Sequence, residues 1–172
     1  MTLTARVTVR RLHPQALVPT YAHPGDAGAD LASVVAVTLG PGERALVPTG
    51  IAIALPPGFV GLIHPRSGAA ARHGLGMVNA PGTIDSGYRG EILINLINLD
   101  PHDPIEIRPG DRVAQLVIQE YAAATFAVAD SLPGSARGET GHGSTGGLAA
   151  ATLASDRDRA AGADTAPTTD ED

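Results

Sequence analysis

The chain has 172 residues, of which 43% are hydrophobic, so it is long enough for one domain with a modest core. It contains no cysteine, which excludes disulfides and thiolate metal sites. The net charge is −6 and much of the acidic excess lies in 151–172, so the rest of the chain has no basic surplus for a nucleic-acid backbone. No apolar run reaches the roughly 18 residues that span a bilayer. We therefore expect a cytoplasmic protein without nucleic-acid or membrane partners.

Short strand-like segments follow one another along the chain. Ala5, Val7 and Val9 alternate with polar residues, which is the period of a half-buried strand. Further apolar segments lie at 33–39, 45–53, 59–63, 91–99, 112–119 and 124–128. Turn sequences rich in glycine and proline separate them, and helix is limited to about one turn at 69–72. The pattern predicts an all-β fold, a jelly-roll barrel or sandwich of short strands.

The composition changes near residue 137. We predict a β domain at 1–136, a glycine-rich arm at 137–147 and a disordered tail of Ala, Thr and Asp at 148–172. Glycine loses the most conformational entropy on ordering, so the arm is expected to be flexible until a ligand orders it. Helix is the less favoured alternative for the first part of the tail.

Two short segments in the first half of the chain carry candidate functional groups. Asp30 lies in the string AGADL, where a carboxylate beside glycines also fits an ordinary turn. Pro65-Arg66-Ser67-Gly68 directly follows an apolar segment. Its guanidinium, hydroxyl and free backbone N–H groups suit phosphate oxygens, although the segment alone is a weak signal.

Two further segments lie in the second half of the β domain. The stretch from Asn79 to Glu91 predicts a β-hairpin that displays Asn79, Asp85 and Tyr88, and this clustering favours a pocket. Gln115 interrupts an otherwise apolar strand, where a buried amide needs hydrogen-bond partners.

The glycine-rich arm is the fifth segment. It offers a cation, an imidazole ring and hydroxyls on a pliable backbone, as a lid over phosphates would, but it lacks the spacing of a P-loop. The other histidines show no metal-ligand spacing and are predicted to be surface or turn residues; they are His13, His23, His64, His73 and His102.

In order and spacing, the five segments resemble the motifs of the trimeric dUTPase family (deoxyuridine 5′-triphosphate nucleotidohydrolases). The matching strings are AGADL, PRSG, GTIDSGYRGE, GDRVAQL and RGETGHGSTGG, within about residues 4–147. One position departs from the pattern, because His142 stands where the family usually has a phenylalanine. A histidine ring can still stack on a base, so we expect function to be retained, with weaker or pH-sensitive closure of the arm.

The resemblance implies a jelly-roll subunit, a homotrimer with shared active sites, and hydrolysis of dUTP to dUMP and pyrophosphate. This reaction supplies dUMP for thymidylate synthesis and keeps uracil out of DNA. Asp85 would be the general base that takes a proton from the water attacking the α-phosphorus. Mg²⁺ would bind the triphosphate, and Asp30 would act on it through a coordinated water.

The resemblance also assigns residues to the nucleotide. Asn79 and the backbone near Thr83 and Ile84 would recognise uracil, and Tyr88 would pack on the deoxyribose and exclude a 2′-hydroxyl. The phosphates would be held by residues of the second and fourth segments, namely Arg66, Ser67, Gly68 and Gln115. In the arm, Arg137 would reach the γ-phosphate and His142 would stack on uracil. Further contacts would come from Gly143, Ser144 and Thr145.

Two other functions stay open. A dCTP deaminase belongs to a related family of the same fold, and Pro65-Arg66-Ser67 is compatible with it; that family, however, carries a glutamate base where this chain has Ile84-Asp85-Ser86. A non-catalytic nucleotide-binding module would not need Asp30, Asp85 and Arg137 together. Ammonia release from dCTP would favour the deaminase. Nucleotide binding without turnover would favour the non-catalytic module.

Overall fold

The computed structural model describes residues 4–139. The chain divides into two compact units, Met1–Thr125 and Phe126–Asp172, and the regular elements described lie in the first. These elements are β1 (Thr8–Arg11), β2 (Gly28–Ala32), β3 (Val37–Leu39), β4 (Arg44–Pro48), β5 (Ile51–Ala54), β6 (Phe59–His64), α1 (Ser67–His73), β7 (Leu75–Met77), β8 (Gly82–Ile84), β9 (Leu93–Asn98), β10 (Ile105–Ile107) and β11 (Arg112–Glu120). Within 4–139, no helix is long and apolar enough to cross a membrane.

The strands form small antiparallel sheets. One has the order β2-β11-β6-β8, a second has the order β4-β9-β7, and β1-β5 and β3-β10 form two-stranded sheets. Neighbours in the sheets are mostly distant in the chain, which is typical of Greek-key and jelly-roll connections. The predicted all-β jelly-roll fold with little helix is confirmed.

A single core is built from the inner faces of these sheets. In β9, Ile94, Leu96 and Asn98 are buried while the residues between them face outward, as the period of a strand requires. Asn98 is a buried polar residue whose Nδ2 donates to the carbonyls of Leu39 (2.9 Å) and Asp103 (2.8 Å). Every buried side-chain N or O atom in the described chain has a hydrogen-bond partner, so the core contains no unpaired polar group.

Several strand boundaries differ from the sequence-based prediction. The apolar segment 45–53 is two strands, because Gly50 adopts a left-handed conformation (φ +68°) and turns the chain between them. The segment 33–39 contains only β3, and β2 precedes it at the AGADL string. Residues 124–128 form no strand.

The predicted hairpin at 79–91 is wrong. β8 pairs with β6, whereas β9 pairs with β4 and β7 in another sheet. The residues between β8 and β9 therefore connect two sheets and do not close a hairpin.

Candidate active site

An open cavity of about 430 Å³ lies where β2, β6 and β11 meet the start of α1. Asp30, Gln115 and His64 face one another across these three neighbouring strands. Residues opposite each other in adjacent strands present their side chains on the same face, so this row of the sheet forms one wall of the cavity. Arg66 and Ser67 form another wall. The cavity thus brings together the first, second and fourth segments.

The start of α1 positions the second segment. Arg66 is the N-cap residue in an extended conformation (φ −93°, ψ 123°), which turns the chain from β6 into α1. The helix ends at Gly74, whose left-handed backbone (φ +65°) lets its N–H reach the carbonyls of Ala69 and Ala70. α1 is therefore longer than the single turn expected at 69–72.

Asp30 forms ion pairs with two arginines. Its Oδ1 pairs with Arg66 Nε at 2.8 Å, and its Oδ2 pairs with Arg112 Nη1 at 3.0 Å. Arg66 Nη1 also donates to the carbonyl of Arg112 at 3.2 Å. The Asp30 side chain is 15% exposed, so these pairs are partly shielded from water. One carboxylate thus aligns two guanidinium groups, whose remaining N–H donors suit an anionic ligand.

Gln115 is held by groups from both neighbouring strands. Its Nε2 donates to the carbonyl of Pro65 at 2.9 Å. Its Oε1 occupies the space that a Cβ on Gly28 would need. A glycine at position 28 is therefore required for this side-chain orientation, which explains why the first and fourth segments occur together.

The residues of the third segment lie on β8 and the loop that follows it. Asp85 is exposed, and among residues 4–139 its carboxylate has no hydrogen-bond or ion-pair partner, so it is available to a water molecule. Tyr88 N donates to the carbonyl of Asp85 at 3.0 Å, and Tyr88 Oη donates to the carbonyl of Glu91 at 2.9 Å. Glu91 Oε1 accepts from Gly50 N at 2.7 Å, which ties this loop to the body of the unit.

The rest of the third segment precedes this loop. Asn79 lies just before β8, with its Nδ2 3.7 Å from the position of a Cβ on Gly82. Thr83 is exposed and Ile84 is half-buried, and both lie in β8. The backbone of β8 pairs with β6 on one side only, which leaves its other edge open within the described chain.

Asp30 and the third segment lie at the two opposite edges of one sheet. β2, which carries Asp30, and β8, which precedes Asp85, are the two edge strands of the order β2-β11-β6-β8. Three strand spacings separate them, or about 14 Å across the sheet. Asp85 is therefore not a wall of the cavity that contains Asp30 and Arg66.

The arm is only partly described. Arg137 lies in an exposed bend of the second unit. The predicted contacts of His142, Gly143, Ser144 and Thr145 fall outside the described residues.

Three polar or charged residues of the cavity were not assigned from the sequence, namely Asp26, His64 and Arg72. His64, predicted to be a surface or turn residue, is half-buried and lines the cavity at the end of β6. Arg72 also lines it. Its spacing of four from Gly68 would have indicated a shared helix face if the full length of α1 had been predicted.

In the described chain, no group of three or more His, Cys, Asp or Glu side chains could hold a metal ion. A divalent cation at this cavity would need most of its ligands from a bound phosphate chain and from water, which is a common coordination of Mg²⁺.

Comparison with known proteins identifies relatives of the whole β unit. A family model described as dUTPase matches residues 15–146. The deoxyuridine 5′-triphosphate nucleotidohydrolase of Thermobifida fusca is 62% identical over 147 residues, 86% of this chain and 82% of that protein. The corresponding protein of Nocardia farcinica is 57% identical over 152 residues, 88% of this chain and 92% of that protein.

Solved structures show the same fold. The dUTPase of Staphylococcus bacteriophage 80alpha with dUPNHPP superposes with a TM-score of 0.77 at 31% identity, covering 83% of this chain and 99% of that one. A D95N mutant dUTPase of phage phi11 of S. aureus, described with a structural Mg(II) ion, has a TM-score of 0.68 at 30% identity, over 75% of this chain and 99% of that one.

Proposed function

The chain belongs to the dUTPase family, and we propose on that basis that it hydrolyses dUTP to dUMP and pyrophosphate. The observation that carries the proposal is the cavity lined by Arg66, Ser67, Gly68 and Gln115, whose N–H and O–H groups are hydrogen-bond donors for an anion. This chemistry fits a polyphosphate, and the residues are those that the family's motifs assign to the phosphate chain.

Asp85 acts as the general base. An ionised carboxylate takes a proton from water, whose oxygen forms a bond to the α-phosphorus while the bond to the bridging α–β oxygen breaks. Pyrophosphate leaves with the electron pair of that bond. The exposed, unpaired carboxylate of Asp85 supports this assignment, because no protein group competes for it within the described residues.

The phosphate chain is bound by aligned donors. Arg66 is oriented before substrate arrives by its ion pair with Asp30, which lowers the entropic cost of binding. Ser67, the backbone at Gly68 and the amide of Gln115 add hydrogen bonds, and Arg137 supplies a cation for the γ-phosphate. From the arm, His142 stacks on uracil while Gly143, Ser144 and Thr145 contact phosphate.

Base and sugar selection belong to the third segment. Asn79 and the backbone at Thr83 and Ile84 hydrogen-bond the uracil edge. Cytosine would leave these groups unpaired, at a cost of roughly 1–3 kcal/mol per group. The ring of Tyr88 packs on the deoxyribose and excludes a 2′-hydroxyl.

Mg²⁺ fits this site only as an ion carried by the substrate. Both oxygens of Asp30 already accept guanidinium hydrogen bonds, so this carboxylate can contact the ion through water rather than as a direct ligand. The ion, when bound, neutralises charge on the phosphates. The phi11 dUTPase described with a structural Mg(II) ion is consistent with a role for Mg²⁺ in the family.

A homotrimer with shared active sites would bring Asp85 of one chain to the phosphate cavity of another. Asp85 follows β8, Asp30 lies in β2 at the other edge of the sheet, and Asp85 does not line the phosphate cavity, which supports a site that combines Asp85 of one chain with the cavity of another. The outer face of the β4-β9-β7 sheet exposes Leu46, Leu93 and the adjoining Leu99, which is typical of a surface covered by another chain. We assign the enzyme to the cytoplasm, where its product dUMP supplies thymidylate synthesis and removal of dUTP keeps uracil out of DNA.

The test is pyrophosphate release from dUTP, dTTP, dCTP and UTP, with Mg²⁺ and with EDTA. We expect release from dUTP alone, dependent on Mg²⁺. Asp85→Asn should keep dUTP binding and lose turnover, whereas Asp103→Asn, an exposed carboxylate in the β9–β10 connection, should behave as wild type. Turnover by Asp85→Asn at the wild-type rate would refute its role as base. Ammonia from dCTP would favour the deaminase, and binding without chemistry would favour the module.

A further inference from the structure

The last turn of α1 places a further arginine in the phosphate cavity. Arg72 lines the cavity together with Arg66 and Ser67. Its guanidinium lies over Gly68, with Nη2 3.0 Å and Nη1 3.4 Å from the position that a Cβ on Gly68 would occupy. Because residues four apart share a helix face, Gly68 and Arg72 present one surface to the cavity.

Arg72 forms no ion pair within residues 4–139, although Asp26 and Asp30 line the same cavity. The ion pairs of residues 4–139 use Arg66, Arg108 and Arg112, and none uses Arg72. A basic residue in the last turn also interacts favourably with the helix carbonyls. The guanidinium extends back over Gly68, which is the usual direction of a long helical side chain, and so it reaches the cavity.

We propose that Arg72 is a further arginine for the phosphate chain, in addition to Arg66, and that it contributes to preference for the triphosphate. A small residue at position 68 makes room for its guanidinium, so Gly68 acts through the space it leaves as well as through its backbone. This inference deepens the proposed function and rests on it. Arg72 has no ion-pair partner in the described chain, so its guanidinium can change position to meet a ligand. Arg66, in contrast, is held by Asp30.

The first test is steady-state hydrolysis of dUTP by Arg72→Gln, Arg72→Lys and the control Arg108→Gln. Arg108 is an exposed arginine paired with Glu106 outside the cavity. Loss of one charge-assisted contact should raise KM for dUTP about tenfold in Arg72→Gln. The value of kcat should change less than KM, since Asp85 is untouched. Inhibition by pyrophosphate should weaken by a similar factor, inhibition by dUMP should change least, and Arg72→Lys should recover part of the loss.

The second test is a double-mutant cycle. A Cβ in Gly68→Ala would lie 3.0 Å from Arg72 Nη2, so the guanidinium would have to shift by a few tenths of an ångström, and this variant should raise KM slightly in the wild-type background. In the Arg72→Gln background the same change should have a much smaller effect, because there is no guanidinium to displace. Additive effects would mean that Gly68 and Arg72 act independently and would overturn the assignment.

The outcomes separate this inference from the function on which it rests. If the wild type releases no pyrophosphate from dUTP, the proposed function fails. If the wild type is active and Arg72→Gln matches Arg108→Gln in KM and in pyrophosphate inhibition, the role of Arg72 fails. Thermal melting of each variant identifies loss of folding, and in that case the KM of Arg72→Lys against Arg108→Gln decides.

Discussion

Two glycines in the cavity wall each lie under the end of a polar side chain. The amide of Gln115 lies over Gly28 as the guanidinium of Arg72 lies over Gly68. We predict that Gly28→Ala forces Gln115 out of its orientation, because its Oε1 occupies the space of the new methyl group. The hydrogen bond from Nε2 to Pro65 would be lost, which costs about 1 kcal/mol. Thermal melting and KM for dUTP measure the effects on stability and on phosphate binding.

Gly134→Ala is the matched control for this prediction. A Cβ on Gly134 meets no atom within 4 Å, so the same substitution there adds a methyl group without a collision. Gly28→Ala should lower the melting temperature and raise KM relative to Gly134→Ala. Equal behaviour of the two variants would show that Gln115 relaxes freely and that its orientation is not set by Gly28.

The bounds of long amphipathic strands could be predicted from the sequence, whereas those of short or fully buried strands could not. β6, β9 and β11 lie close to their predicted bounds, because each is long enough for its apolar pattern to be distinct. β4 and β5 are adjacent strands joined at Gly50, so their apolar residues merge into one run in the sequence. The partner of β8 was not predictable, since pairing with β6 across the chain depends on the whole sheet and not on local turns.

The candidate site was predictable as a set of residues but not as a geometry. The motif strings identified Asp30, Arg66 and Gln115, which the cavity brings together. They did not indicate that both oxygens of Asp30 pair with arginines, since Arg112 reaches it across the β2–β11 ladder at an irregular register. Arg72 was missed because the helix was predicted to be too short to place it on the face of Gly68.

The connection between β9 and β10 provides a prediction for pH. Backbone N–H groups of Asp103 and His102 donate to Asp100 Oδ1 at 2.9 and 2.8 Å, and these bonds lower the pKa of the Asp100 carboxyl. The charged form is therefore favoured by folding, and its stabilising effect is present at neutral pH and lost as pH falls through the lowered pKa. Asp100→Asn should melt below wild type at pH 7, with the difference shrinking in acid. A difference that stayed constant from pH 7 to acid would contradict this account.

In the whole molecule, the residues that we propose for one reaction lie at the two edges of one sheet. Asp85 follows β8 and Asp30 lies in β2, at opposite edges of the four-stranded sheet. In a closed threefold ring, the edge of one subunit can face the other edge of the next subunit, so each site can combine Asp85 of one chain with the cavity of another. A monomer would then be inactive although it is fully folded.

Complementation between two inactive variants tests this arrangement. Asp85→Asn lacks the proposed base, and Arg66→Gln lacks a proposed phosphate ligand that also pairs with Asp30, so each variant alone should release far less pyrophosphate than wild type at dUTP concentrations below KM. In trimers assembled from an equal mixture, a site works when Asp85 comes from an Arg66→Gln chain and Arg66 from an Asp85→Asn chain. Random assembly makes about a quarter of the sites of that kind. Pyrophosphate release near one quarter of the wild-type rate after co-expression would support shared sites. If a verified mixed trimer showed no recovery of activity, both residues of each site would belong to one chain.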